Sequence, residues 1–231
     1  MPHLNTSISP SPLLIPSSGY TPSKNPSSGS FSDYLRRELH GFSGVFLVSE
    51  LMVSDVSPMT VRFALAELAS EGFLFRLARG VYYKAPVHGD IDKGSTKSVL
   101  PGPVEVAYTV ASKRNLKIVP CMEHCCFLTG LDRSLYKPHT WLCNATSAKI
   151  KLYEGPTLEF VSCKEARMFT FESDTVRNLS NAIRHLGVNR IGGPLEKAIR
   201  EELAKVSPEE LRKDILKCPE FVRGILMELK K

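Results

Sequence analysis

At 231 residues the chain is long enough for two small domains, or for one domain with extensions, and 42% hydrophobic residues suffice for a buried core. There is no run of 18 apolar residues, so no membrane-spanning helix is expected. The formal charge of +6 favours an acidic partner such as nucleic acid, and six cysteines in this length point to free thiols in a reducing cytoplasm rather than to a disulfide scaffold.

Residues 1–30 are rich in Ser, Pro and Gly with a single Lys24. Such a segment buries too little apolar surface to offset its ordering entropy, so a disordered tail is expected. It carries no basic stretch followed by an apolar core, so no secretory leader is expected either.

Residues 31–39 have apolar and charged residues at helical spacing, with Ser32 as a candidate cap and Asp33 in the first turn. Gly41 and Gly44 break the chain before the apolar run Phe46-Leu47-Val48, and residues 49–53 suit a short second helix. Residues 57–71 predict a third helix. Ser57 is the N-cap, Pro58 sits at the first helical position, and Val61, Ala64, Leu65 and Leu68 form one apolar stripe. Met59, Thr60, Arg62, Phe63 and Ala66 lie off that stripe. Gly72 is placed to end the helix. Two β-prone runs, residues 73–77 and 81–84, flank Ala78-Arg79-Gly80 and predict a hairpin.

Three helices and a two-stranded wing in residues 31–86 predict a winged helix-turn-helix that binds duplex DNA. The candidate contacts are Ser57, Met59, Thr60, Arg62 and Phe63 on the third helix and Arg76, Arg79 and Lys84 on the wing. Against this stands the charge of the segment, six Arg and Lys against six acids. A protein-interaction module without DNA binding is therefore the competing reading.

The segment resembles the N-terminal domain of the AbiEi family, the antitoxins of type IV toxin–antitoxin systems. The resemblance rests on Gly44-Val45-Phe46, on Leu68-Ala69-Ser70-Glu71-Gly72 closing the third helix, and on Arg76-Leu77-Ala78-Arg79-Gly80-Val81-Tyr82 in the wing. It continues in Val106-Ala107-Tyr108-Thr109-Val110-Ala111, Lys117-Ile118-Val119-Pro120, Leu128-Thr129-Gly130-Leu131 and Thr140-Trp141-Leu142. The chain departs from the family at Cys121-Met122, where Ser-Gly is common, and at the inserted Thr129. The resemblance implies a regulator that represses its own operon, binds operator DNA and opposes a nucleotidyltransferase-like toxin.

Residues 87–102, with Gly89, Gly94, Pro101 and Gly102, read as a linker. An α+β module is expected over residues 103–163: a helix with Val104, Ala107, Tyr108 and Ala111 on one face, a strand ending at Pro120, a helix over residues 121–128, then strands near residues 141–143, 149–153 and 157–162. Residues 164–231 read as helical. Val176, Leu179, Ala182, Ile183 and Leu186 make one stripe, and Ser207-Pro208-Glu209-Glu210 is a capping box. The positive excess of +7 lies beyond residue 92, where it could steer nucleic acid or an acidic partner surface.

Cys121, His124, Cys125, Cys126 and Cys143 invite a zinc reading, but their spacing is not that of paired ligands two to four residues apart. They are read as small buried thiols. A Cys–His nucleophile lacks an orienting third group. Gly192-Gly193 lacks the Lys-Ser/Thr of a phosphate loop. Glu159 lacks the acidic pair and lysine of a nuclease, which leaves a nuclease-like enzyme as the remaining alternative. The expectation is an α+β DNA-binding regulator in the cytoplasm. It has no catalytic residues, metal or cofactor, and the sequence leaves its oligomeric state open.

Overall fold

Ser30 opens the first helix, α1 (Phe31–Glu38), in the computed structural model of the chain, which describes residues 30–51, 56–86 and 100–230. The expected tail before Ser30, the end of the expected second helix and the linker through residue 99 lie outside the described residues. The chain is α+β and divides into two compact units between Pro101 and Gly102.

The cap of α1 is Ser30, not Ser32. Its hydroxyl accepts from the Asp33 amide at 3.2 Å, and the Asp33 carboxylate accepts from the Ser30 amide at 3.0 Å, a reciprocal capping box. The helix starts early because Phe31 and Leu35 both fill the core. Ser32 is thereby buried inside the first turn, where its hydroxyl donates to Glu67.

Strand β1 (Gly44–Leu47) leads into a single 3-10 turn, Val48–Leu51, where a short α-helix was expected. Helix α2 (Pro58–Ser70) has the Ser57 cap and the buried stripe Val61, Ala64, Leu65 and Leu68 that its spacing predicts. Gly72 follows with φ +74°, a backbone state that costs glycine little. The amides of Phe73 and Leu74 still bond to the Leu68 carbonyl, at 3.0 and 3.2 Å. The helix end consumes them, so β2 begins at Phe75 rather than Phe73.

Strands β2 (Phe75–Ala78) and β3 (Val81–Lys84) form the hairpin, and β1 adds to the far side of β3 in an antiparallel sheet of order β1-β3-β2. Leu77 is an extra residue on β2 between the pairs Arg76–Tyr82 and Ala78–Val81, a bulge that increases the local twist. Gly80, at φ +76°, makes the turn, and its carbonyl accepts from the Val48 amide at 3.0 Å. The hairpin tip is thus tied to the residue that follows β1. Phe46, Leu35, Leu39, Leu51, Leu65 and Leu68 fill the core between the sheet and the two helices.

The second unit contains α3 (Pro103–Lys113), β4 (Ile118–Pro120), α4 (Met122–Leu128), β5 (Thr140–Cys143), β6 (Ala148–Lys151) and β7 (Thr157–Ser162). Helices α5 (Asp174–Leu186), α6 (Pro194–Leu203), α7 (Pro208–Ile215) and α8 (Glu220–Lys230) follow. The sheet order is β4-β5-β7-β6, with β5 and β7 parallel and the outer pairs antiparallel. Ile150, Leu152, Leu158 and Phe160 are buried, as their alternation predicts.

The face of α3 differs from the expected one. Val106, Ala107, Val110 and Ala111 are buried, whereas Val104 and Tyr108 are nearly half exposed. Only the alanines of the expected stripe belong to the core. Helix α5 supplies the full expected stripe, and it packs on Cys125 and Cys126 of α4 as well as on Leu203, Leu211, Val222 and Leu226. Helix α4 of the expected α+β module and the helical region therefore share one core. No described helix is long and apolar enough to cross a membrane.

Candidate nucleic-acid interface

Helix α2 spends one face on the core. The other carries Met59, Arg62, Phe63 and Ala66, at spacings of three and four residues that stack them on successive turns. All four are exposed, Met59 at 61% and Phe63 at 67%. The β2–β3 hairpin brings Arg76 and Arg79 beside them. Together they line a groove of about 500 Å³ floored by Val48, Gly80 and Tyr82. Five of the eight sequence-predicted contacts meet here: Met59, Arg62, Phe63, Arg76 and Arg79.

The charged residues among the described lining of the groove are all arginines. None of the described residues lining it is acidic. Four described acids of this unit are used elsewhere: Asp33 caps α1, Glu67 accepts from Ser32, Glu71 pairs with Arg36, and Glu50 accepts from the Leu47 amide at 2.6 Å. A segment with no net charge thus gathers three guanidinium groups in one depression.

Ser57 and Thr60 are exposed at the start of α2 but do not line the groove. The Ser57 hydroxyl accepts from the Thr60 amide at 3.1 Å, and the two hydroxyls share a hydrogen bond of 2.8 Å.

Lys84 does not line the groove. It is buried, its ammonium lies 4.6 Å from the centre of the Phe73 ring, and it donates to the Ala85 carbonyl at 3.0 Å. Burial lowers its pKa. Lys84 shares its face of β3 with Tyr82, two residues earlier, so its place further along the strand, against Phe73 just after α2, is what keeps it out of the groove. Conversely, Val48, Ala66, Gly80 and Tyr82 line the groove without having been singled out. Ala66 was legible as the next turn after Met59 and Phe63; Val48 is brought in only by its bond to Gly80.

In the second unit the thiols behave as core. Cys121, Cys125, Cys126 and Cys143 are buried and free. The Cys125 sulfur lies 3.6 Å from the Pro120 carbonyl and from Asn178 Oδ1. Burial pushes the Cys125 thiol up to about 12 and Cys126 up to about 11, so neither is a nucleophile near neutrality. Burial, and then the neighbouring His139, lower His124, whose buried Nδ1 has no hydrogen-bond partner among the described residues. Among the described residues no three His, Cys, Asp or Glu side chains are arranged to hold a metal ion. Glu159 pairs with Lys149 across β6 and β7 at 2.6 Å.

No protein-family model matches this chain, and no curated protein sequence matches it significantly.

Proposed function

We propose that this chain is a DNA-binding transcriptional regulator whose first unit is a winged helix-turn-helix. The observation that carries the reading is the groove in which Arg62 of α2 stands with Arg76 and Arg79 of the β2–β3 hairpin. In this reading α2 lies in a major groove with its first two turns facing base edges, and the hairpin tip reaches adjacent phosphates. Arginine suits both tasks, because its planar fork donates two parallel hydrogen bonds to a phosphate or to guanine. The order of elements, helix, strand, turn, helix, hairpin, supports the same reading.

The resemblance to AbiEi antitoxins extends the proposal. The regulator would repress its own operon, and the second unit, which holds most of the positive excess, would oppose a nucleotidyltransferase-like toxin encoded beside it.

Gel-shift titration with the DNA upstream of the chain's own gene tests the reading. Wild type is expected to bind, with affinity falling steeply as salt rises. Arg76→Ala combined with Arg79→Ala should keep its circular dichroism spectrum and bind at least about tenfold more weakly. Its slope of log affinity against log salt should be shallower by about 0.9 for each phosphate that the variant leaves unneutralised. Undiminished binding by that variant would reject the wing assignment.

A further inference from the structure

We propose that Phe63 and Met59 read thymine. The pair offers an apolar surface to 5-methyl groups on the major-groove edge, so the preferred duplex carries thymine opposite the first two turns of α2. The proposal rests on the DNA-binding reading above and adds a base preference to it.

Phe63 and Met59 stand one helical turn apart on the same face of α2, exposed at 67% and 61%. Neither serves the core, whose α2 side is filled by Val61, Ala64, Leu65 and Leu68. A single exposed apolar side chain is ordinary on a protein surface. Two large ones stacked together inside a groove rimmed by Arg62, Arg76 and Arg79 are not, because an apolar patch with a polar rim marks an interaction site.

The rim and the centre ask different things of one ligand. The guanidiniums of Arg62, Arg76 and Arg79 favour phosphate or another anion. The apolar centre selects an apolar group on that same ligand. On the major-groove edge of duplex DNA that group is the thymine methyl, and Phe is among the side chains that pack against it. The polar alternatives on this face are few. The Thr60 hydroxyl is engaged with Ser57 at 2.8 Å, and Arg62 is the hydrogen-bonding side chain that α2 itself brings to the groove beside Phe63.

The test uses the full-length chain. A duplex is selected from a randomised library, then remade with deoxyuridine in place of thymidine, which deletes the methyl groups and keeps every hydrogen-bonding atom. Wild type should bind the uridine duplex about fourfold more weakly for each contacted thymine, the worth of burying one methyl. Phe63→Ala, a substitution at an exposed position, should bring the ratio of thymidine to uridine affinities towards one while leaving the salt slope unchanged. That coupling is a double-mutant cycle across the interface.

Equal affinity of wild type for both duplexes would overturn the thymine reading and leave DNA binding standing. Failure to enrich any duplex would overturn both. A Phe63→Ala chain that keeps the wild-type ratio but loses a self-associated state in sedimentation would assign the patch to a second copy of the chain instead.

Discussion

Asp214 of α7 accepts a 2.6 Å hydrogen bond from the backbone amide of Ser173, the residue that caps α5. The same carboxylate accepts twice from the Glu172 amide at 3.0 Å and pairs with Lys217 at 2.6 Å, while remaining wholly buried. One acidic side chain therefore fixes where the central helix of the second unit begins. Burial alone would raise its pKa. The Lys217 ammonium and the Ser173 and Glu172 amides together outweigh burial and hold it below the ordinary carboxyl value of 3.8.

A depressed pKa in the folded chain means that the stability from Asp214 is complete above the ordinary carboxyl value and drains as pH falls through the folded one. Asp214→Asn should cost about 1–3 kcal/mol at neutral pH, because it leaves Lys217 and two amides poorly matched. It should also flatten the loss of stability below about pH 4. Urea melts of both chains across that range check this; parallel pH profiles would show that Asp214 does not titrate in the way argued.

Lys84 should be dispensable for DNA. Its ammonium packs on Phe73, whose ring also meets the Arg36 guanidinium at 5.3 Å, so its role is to close the end of α2. Lys84→Met is expected to change affinity by less than about twofold and stability by less than about 1 kcal/mol. Burial lowers the pKa of Lys84, so its charged form is disfavoured on folding, and that penalty fades as pH rises through the folded value towards 10.5. Any advantage of the methionine variant should accordingly shrink in alkali. A tenfold loss of DNA affinity in Lys84→Met would return this side chain to the interface.

The thiols give a third expectation. Five of the six cysteines are buried, and Cys163 is the partly accessible one. A thiol reagent at neutral pH should label about one cysteine on the folded chain and all six in denaturant. Replacing Cys121, Cys125 and Cys126 together by Ala should cost less stability than replacing them by Ser, since each buried hydroxyl adds a desolvation cost of about 1–3 kcal/mol. Either variant should keep its affinity for DNA. Elemental analysis finding about one zinc per chain would overturn the core assignment.

Much of this was legible in the sequence where periodicity and caps agree. The stripe of α2, the stripe of α5 and the Ser207 capping box stand where spacing placed them. Ser32 was misread because Ser30 and Ser32 are both good caps with Asp33 close by; the burial demanded by Phe31 decides between them. Val104 and Tyr108 were misread because α3 is apolar over much of its circumference, so its period does not select a face. The site was half legible. Residues off the α2 stripe had to face outward, whereas what Lys84 meets at the end of β3 depends on the register of that strand against β1 and β2 and on where Phe73 falls. Where Glu67 and Glu71 point is a tertiary fact: they are drawn to Ser32 and Arg36, thirty-five residues earlier in the chain.

The last expectation is that the two units divide the work. Each has its own core, one built on Phe46, Leu65 and Leu68, the other on α5 and its neighbours. The boundary falls between Pro101 and Gly102, and the segment before it is rich in Gly and Pro. Cutting the chain between residues 87 and 101 should therefore leave two pieces that each unfold cooperatively. The first piece, begun ahead of Ser30 so that the α1 cap survives, should bind DNA with the salt slope of the whole chain, because the guanidiniums of the groove all belong to it. The second should restore growth against a co-expressed toxin from the neighbouring gene without shifting operator DNA. If residues 30–86 alone restore growth, the proposed allocation is wrong and the first unit is the partner-binding one. If instead the second piece shifts DNA as well as the whole chain does, its positive excess serves nucleic acid and the interface must be redrawn to include it.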